Sequence, residues 1–139
     1  MYEMSDTDGT DGSARKVSVL VVDDQLPFRA VARTVVGLTP GFEVTAEAES
    51  GESAVDAVDA QTPDLVLMDI NLPGMNGIEA TQRIRSKHPG TAVILMSTYS
   101  ESDLPASARD CGALAYVHKE DLGPAVIKEL WAGRSGSDH

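Results

Sequence analysis

Five polar side chains of this chain stand where an apolar run stops. Asp23 and Asp24 follow the β-branched run Val17–Val22, and Asp69 follows Asp64–Met68. Ser97 follows Ala92–Met96, and Lys119 stands just beyond Ala113–Val117. Runs of this length and composition read as buried strands. In an open doubly wound sheet, ligands sit outside the carboxyl ends of the strands. Three carboxylates, a hydroxyl and an ammonium therefore converge on one rim. Two carboxylate charges ~4 Å apart repel by about 4 kcal/mol at an effective dielectric of ~20. A divalent cation relieves that repulsion, and oxygen donors without His or Cys select Mg²⁺, with Mn²⁺ as the alternative. Asn71, two residues past Asp69, adds a backbone carbonyl if the loop through Pro73-Gly74 and Asn76-Gly77 turns back on the site.

Each of these residues also has a plainer use. An Asp pair after a strand caps the next helix, and Asp69 serves as a turn former ahead of Pro73-Gly74. Ser97 is then a loop hydroxyl and Lys119 a solvated charge in the run His118–Asp121. Read one at a time, these alternatives hold. Read together, they leave unexplained why all five stand at strand ends, and an acid closing a buried strand is costly without a purpose. Cys111 reads as a small buried hydrophobe and His88 as a helix C-terminal cation.

The elements that must position these side chains alternate along the chain. Pro27 to Gly37 sets Phe28, Val31, Val35 and Val36 near one helical face, with Pro27 suited to the first turn and Gly37 to the end. Phe42–Ala46 is a short strand. Ser50 or Gly51 opens a helix that Thr62-Pro63 closes, Ile78–His88 is a third helix, and Val126, Ile127, Leu130 and Trp131 mark the last. The polar stretch Glu101–Cys111 offers only Leu104, Ala108 and Cys111 as inward positions. Five β-α units with near-continuous apolar strands predict an α/β fold, a five-stranded parallel sheet doubly wound by helices on both faces.

Composition limits what such a domain does. The 139 residues predict one domain. Forty-two per cent are hydrophobic and four per cent aromatic, so the core is built from Val, Leu, Ile and Ala. With 22 acidic against 11 basic residues, the net charge of −11 repels phosphate backbones and argues against direct nucleic-acid binding. A single cysteine, Cys111, excludes an internal disulfide. No stretch reaches the ~18 apolar residues of a membrane span. Residues 1–15 read as a disordered leader without signal-peptide character and 133–139 as a flexible tail, which leaves 16–132 as the folded unit. The expectation is a soluble, cytoplasmic chain whose partners are proteins or a metal ion.

The segments VLVVDDQ, LVLMDINLPGMNGIEA, VILMS and AYVHK, in this order and spacing, resemble the receiver domain of bacterial two-component response regulators. The resemblance runs from Lys16 to about Ala132 and implies the flavodoxin-like receiver fold. It implies that Asp69 is the phosphoacceptor, and that Asp23, Asp24, Asp69 and the Asn71 carbonyl cage Mg²⁺. It further implies that Ser97 hydrogen-bonds the phosphoryl group and Lys119 pairs with a phosphoryl oxygen. Tyr116 matches an aromatic whose rotamer couples the site to the surface around the fourth helix and fifth strand. The implied partners are a sensor histidine kinase or a phosphotransfer protein, with a homodimer on phosphorylation.

Two positions depart from the common pattern. Glu120 follows Lys119 where many receivers have proline, so a trans bond is expected. HKEDL resembles instead the subgroup that precedes a helix-turn-helix output domain. Thr98 stands where the family usually has Ala or Gly, and its bulk is expected to narrow access to Asp69. Three other functions remain open on sequence: the excised regulatory half of a DNA-binding regulator, a docking receiver that is not phosphorylated, and a haloacid-dehalogenase-type phosphatase. The last needs a second acid where Asn71 stands and a cap domain for which the chain has no room. No enzymatic turnover is expected beyond self-directed phosphoryl transfer and autodephosphorylation.

Overall fold

The computed structural model describes residues 15–100 and 103–137, with side chains as far as Arg134. Strand β1 (Val17–Val22) leads into α1 (Leu26–Gly37), β2 (Phe42–Ala48) into α2 (Gly51–Gln61), and β3 (Leu65–Asp69) into α3 (Gly77–Lys87). Next come β4 (Ala92–Ser97), α4 (Ser107–Asp110), β5 (Ala115–His118), a 3₁₀ turn (Lys119–Asp121) and α5 (Pro124–Ser137). The five strands form one sheet in the order β2-β1-β3-β4-β5. All pairings are parallel. The order reverses between β1 and β3, and this is where the expected site lies.

Successive residues of each strand face opposite sides of the sheet, and the core divides accordingly. Leu20, Val22, Val66, Met68, Val93 and Leu95 pack with Ala54 and Val58 of α2 and Ile78 and Ile84 of α3. Val19, Val21, Leu65, Leu67, Ile94 and Met96 pack with Ala32 and Val36 of α1 and Ile127 of α5. Both faces are covered, so β3 and β4 are buried along their whole length. Each fully buried Leu or Ile contributes about 1.5–3 kcal/mol.

Helix starts follow local chemistry. Ser50 and Ser53 form a reciprocal capping box on α2, and the Asn76 side chain accepts the Glu79 N–H at α3. Pro27 occupies the first turn of α1.

The structure corrects several boundaries. Strand β2 runs two residues past Ala46, because Val21 and Val22 pair with Glu47 and Ala48 beyond an irregularity at Val19/Leu20. Strand β5 starts at Ala115 rather than Ala113, since Gly112 turns at φ +94° and the Leu114 N–H is taken by the Val93 carbonyl. The polar stretch before it makes only the one-turn α4; Ala108 and Cys111 are buried, whereas Leu104 is only half-buried. Helix α5 continues to Ser137, so 133–137 extends a helix where GRSGS reads as a flexible tail. Arg134 lies over the Trp131 ring at 3.8 Å within that extension. Arg15, assigned to the leader, is held by both oxygens of Asp64 at 3.0 Å. Residues 1–14, the remainder of the expected leader, lie outside the described residues, as do 138–139. No helix among the described residues is long and apolar enough to cross a membrane.

Candidate functional site

The carboxyl ends of β1 and β3 bring the three acids together. Asp23, Asp24 and Asp69 each offer a carboxylate oxygen, all within 4.8 Å of one another. Asp23 and Asp69 are buried and Asp24 is exposed. The cluster therefore has two buried carboxylates and one facing solvent. Its oxygen-only donors and close spacing fit a hard divalent cation such as Mg²⁺.

Lys119 reaches this cluster from the first residue after β5. Its Nζ donates to Asp23 Oδ2 at 2.6 Å and lies 3.5 Å from Asp69 Oδ2. The ammonium also sits 4.5 Å from the centre of the Phe28 ring on α1. A cation over an aromatic face is stabilised by the ring quadrupole, so Phe28 helps hold the lysine over the acids. Asp23 Oδ1 accepts the Gln25 N–H at 2.8 Å, and Asp69 Oδ1 accepts the Asn71 N–H at 3.2 Å.

Burial, followed by the charge of Asp23, pushes the Asp69 carboxyl up from 3.8 to about 6. Lys119 and the Asn71 N–H pull the other way without cancelling the shift. Asp69 is thus a carboxylate short of partners, the condition expected of a group that meets a ligand.

Ser97 is fully buried at the end of β4. Asp69 pairs in register with Met96, which puts Ser97 one residue further along the neighbouring strand. Its Oγ accepts the Tyr99 N–H at 3.0 Å. Tyr116 does not join the acid cluster. Its hydroxyl donates to the Tyr99 carbonyl and approaches the Ser97 carbonyl at 3.5 Å, which ties β5 to the segment leaving Ser97. Thr98 is exposed.

Three contributors are not evident from residue types alone. Phe28 reads in sequence only as an inward helical position. Gly77 permits a close approach: a Cβ there would lie 2.1 Å from the Asp69 carbonyl oxygen. His118 ties the turn after β5 to the end of β4. Its Nε2 donates to the Thr98 carbonyl at 2.9 Å and its Nδ1 accepts the Glu120 N–H at 3.2 Å. Those two bonds require the Nε2–H tautomer. They brace the turn that presents Lys119, and no peptide bond among the described residues is cis. The Asn-Gly pair and the histidine were visible signals, but their contacts with Asp69 and the Thr98 carbonyl exist only in the folded chain.

A parallel sheet in this strand order, with an acidic cluster at its switch point and a lysine leaning over it, defines a doubly wound binding domain with a cation-ready rim. The chain belongs to the response regulator receiver domain family of two-component systems, whose family model matches residues 19–129. It is 34% identical over 115 residues to the transcriptional regulatory protein DegU of Brevibacillus brevis, covering 83% of this chain and 49% of DegU. It is 36% identical over 107 residues to protein-glutamate methylesterase/protein-glutamine glutaminase 2 of Paramagnetospirillum magneticum, covering 76% of this chain and 30% of that protein. The chain thus spans about half or less of these curated relatives. The signal receiver domain of NarL from Mycobacterium tuberculosis superposes with a TM-score of 0.79 at 30% identity, covering 88% of this chain and 98% of that one.

Proposed function

We propose that Asp69 takes a phosphoryl group from the phosphohistidine of a sensor histidine kinase or a phosphotransfer protein. An Asp69 carboxylate oxygen attacks phosphorus, the P–N bond breaks with its electron pair passing to the imidazole nitrogen, and an acyl phosphate forms. Water later hydrolyses this mixed anhydride to inorganic phosphate and restores Asp69. The observation that carries the reading is the buried, under-partnered Asp69 beside Lys119 and two further carboxylates.

Each residue has a role in that step. Asp69 attacks only when ionised, and the Lys119 ammonium favours that form. Lys119 then moves from Asp23 toward a phosphoryl oxygen, while Ser97 Oγ leaves the Tyr99 N–H to bond another. Asp23, Asp24, Asp69 and the Asn71 carbonyl would hold Mg²⁺ or Mn²⁺, which when bound offsets charge on the equatorial phosphoryl oxygens. The Ser97 shift alters the segment whose Tyr99 carbonyl holds the Tyr116 hydroxyl. The phosphoryl group thereby biases a two-state surface around α4 and β5, by as much as it binds one state more tightly. That surface docks a partner or a second copy of the chain. The reading places the chain in the cytoplasm as a switch, with no catalytic turnover of other substrates.

Intact mass after incubation with acetyl phosphate and Mg²⁺ tests this. One phosphoryl adduct is expected, absent without the cation and in Asp69→Asn. No adduct under conditions where Mg²⁺ raises the melting temperature would favour a docking receiver.

A second reading concerns the output. DegU is named as a transcriptional regulatory protein, and the chain matches about half of it. On this reading the switch governs a DNA-binding output domain. A transcript that continues in frame past His139 supports it, and a stop codon there removes it.

A further inference from the structure

Asp23 is held by its main chain as well as by its carboxylate. The carboxylate accepts the Gln25 N–H at 2.8 Å and the Lys119 ammonium at 2.6 Å. The main-chain N–H donates to the Ala48 carbonyl at 3.1 Å, and the main-chain carbonyl accepts Arg29 Nη1 at 2.7 Å. The bond from Arg29 has no part in the phosphoryl transfer described above. Its guanidinium is nonetheless drawn in against the first acid of the cluster, with 11% of the side chain exposed.

Arg29 stands in the first turn of α1, next to the Phe28 ring that lies under Lys119. Its Nε donates to Glu47 Oε1 at 3.1 Å, and the other oxygen of Glu47 accepts Arg33 Nη1 at 2.8 Å. Arg33 first, and then Arg29, hold the Glu47 carboxyl below its usual value, so this anchor stays ionised. Glu47 lies on β2, in register with Val21 of β1. A guanidinium is planar and donates in fixed directions. With Nε on Glu47 and Nη1 on Asp23, Arg29 ties the Asp23 carbonyl to the neighbouring strand. That carbonyl belongs to the planar peptide leading to Asp24, the exposed acid of the cluster.

We propose that Arg29 is a positioning residue for the cation rim. By clamping the Asp23–Asp24 peptide, it keeps the two carboxylates aimed at one ion together with Asp69. The inference rests on the reading of the acid cluster as a Mg²⁺ site. Charge and position act in opposite directions here, which makes the role separable. A positive charge near the rim disfavours a cation, so losing Arg29 tightens Mg²⁺ binding if charge is all that matters. Losing the clamp frees the Asp23–Asp24 peptide and weakens binding, as when the outer partner of a metal ligand is removed.

The test titrates MgCl₂ into the full chain by calorimetry, for the parent and three variants, with thermal melts in EDTA to show that each is folded. Arg29→Gln is expected to raise the dissociation constant about tenfold, the lower end of what losing such an outer partner costs. Arg29→Lys keeps the charge but has no planar fork to hold Glu47 and Asp23 at once. It is expected to weaken binding to a similar degree, and it keeps the test readable if the glutamine variant loosens the fold. Arg33→Gln takes the same charge from Glu47 without touching Asp23, and is expected to stay within about twofold of the parent. Equal or tighter binding by Arg29→Gln overturns the proposal. So does an Arg29→Lys variant that matches the parent, or an Arg33→Gln variant as weak as Arg29→Gln. A parent that binds no Mg²⁺ fails the cation reading itself and takes this inference with it, whereas the variant outcomes leave that reading standing.

Discussion

Strand β3 has an aspartate at each end, and the two carboxylates have opposite fates. Asp64, just before the strand, accepts the Ser18 N–H at 3.0 Å, the Ser18 hydroxyl at 3.1 Å and Arg15 through both oxygens. Burial alone would push its carboxyl up, but the Ser18 N–H, then Arg15 and the Ser18 hydroxyl, bring it below the usual value. Asp69, at the other end, has one N–H at 3.2 Å, a lysine at 3.5 Å and a second acid beside it. Its carboxyl is pushed up to about 6. The same side chain on the same strand is structural where its donors are complete. Where they are incomplete, it is left ready for a ligand.

The largest expected effect breaks the Asp69 side of that contrast. Asp69→Asn removes the phosphoryl adduct altogether, read by intact mass. The same variant also has a pH signature in the absence of divalent cations. Because the folded-state value lies above the unfolded one of about 3.9, the folded chain holds its proton longer. The parent therefore loses stability as pH rises from about 4 to about 6 and is level above. That loss is about 3 kcal/mol at most, so the variant should be more stable than the parent at pH 7 and equal to it near pH 3. Urea unfolding at both pH values checks this, and a parent with no such slope contradicts the raised value.

Gly77→Ala is the next. Alanine favours a helix by about 1 kcal/mol over glycine, yet its Cβ would meet the Asp69 carbonyl oxygen at 2.1 Å. Overpacking wins, with a loss of about 1–3 kcal/mol, and displacement of Asp69 slows phosphorylation by acetyl phosphate. An unimpaired rate would show that the position of Asp69 tolerates the shift.

Asp64→Ala attacks the opposite end. It strands the Ser18 N–H and releases Arg15, costing about 1–3 kcal/mol at pH 7. The contribution of Asp64 is full above its unfolded value and is lost as pH falls through its lowered folded value. The adduct with acetyl phosphate should form as in the parent. A variant that also loses phosphorylation would mean that the two ends of β3 are coupled.

The smallest effect is expected from Thr98→Ala, which opens access for water and shortens the acyl phosphate lifetime a few-fold, on the order of 1 kcal/mol or less in the barrier. Equal lifetimes would remove Thr98 as a tuning position.

Much of this site was readable in sequence because its residues follow buried strands. Apolar runs such as Leu65–Met68, covered on both faces, are locally distinctive, and the residue after each run is placed by the fold class alone. Asp23, Asp24, Asp69 and Lys119 were found in this way. Phe28 and His118 were not assigned roles, because a ring under an ammonium and a histidine between two loops declare themselves only through their partners. The stretch Glu101–Cys111 read correctly as polar with Leu104, Ala108 and Cys111 as its inward positions, but it carried little signal for a helix. With few inward positions, its helix is set by the packing of Ala108 and Cys111 and not by a periodic face.

Sequence by itself determined the order of elements, the two-faced core and which side chains arrive at the carboxyl edge. These depend on run length and strand period, which are local. Only the tertiary structure decided that Lys119 leans on Asp23 at 2.6 Å and stands off Asp69 at 3.5 Å. It likewise decided which of the two strand-end aspartates, Asp64 or Asp69, carries the raised carboxyl. Coulomb energy and desolvation depend on distances between groups as far apart in the chain as residues 23 and 119, and no local pattern encodes them.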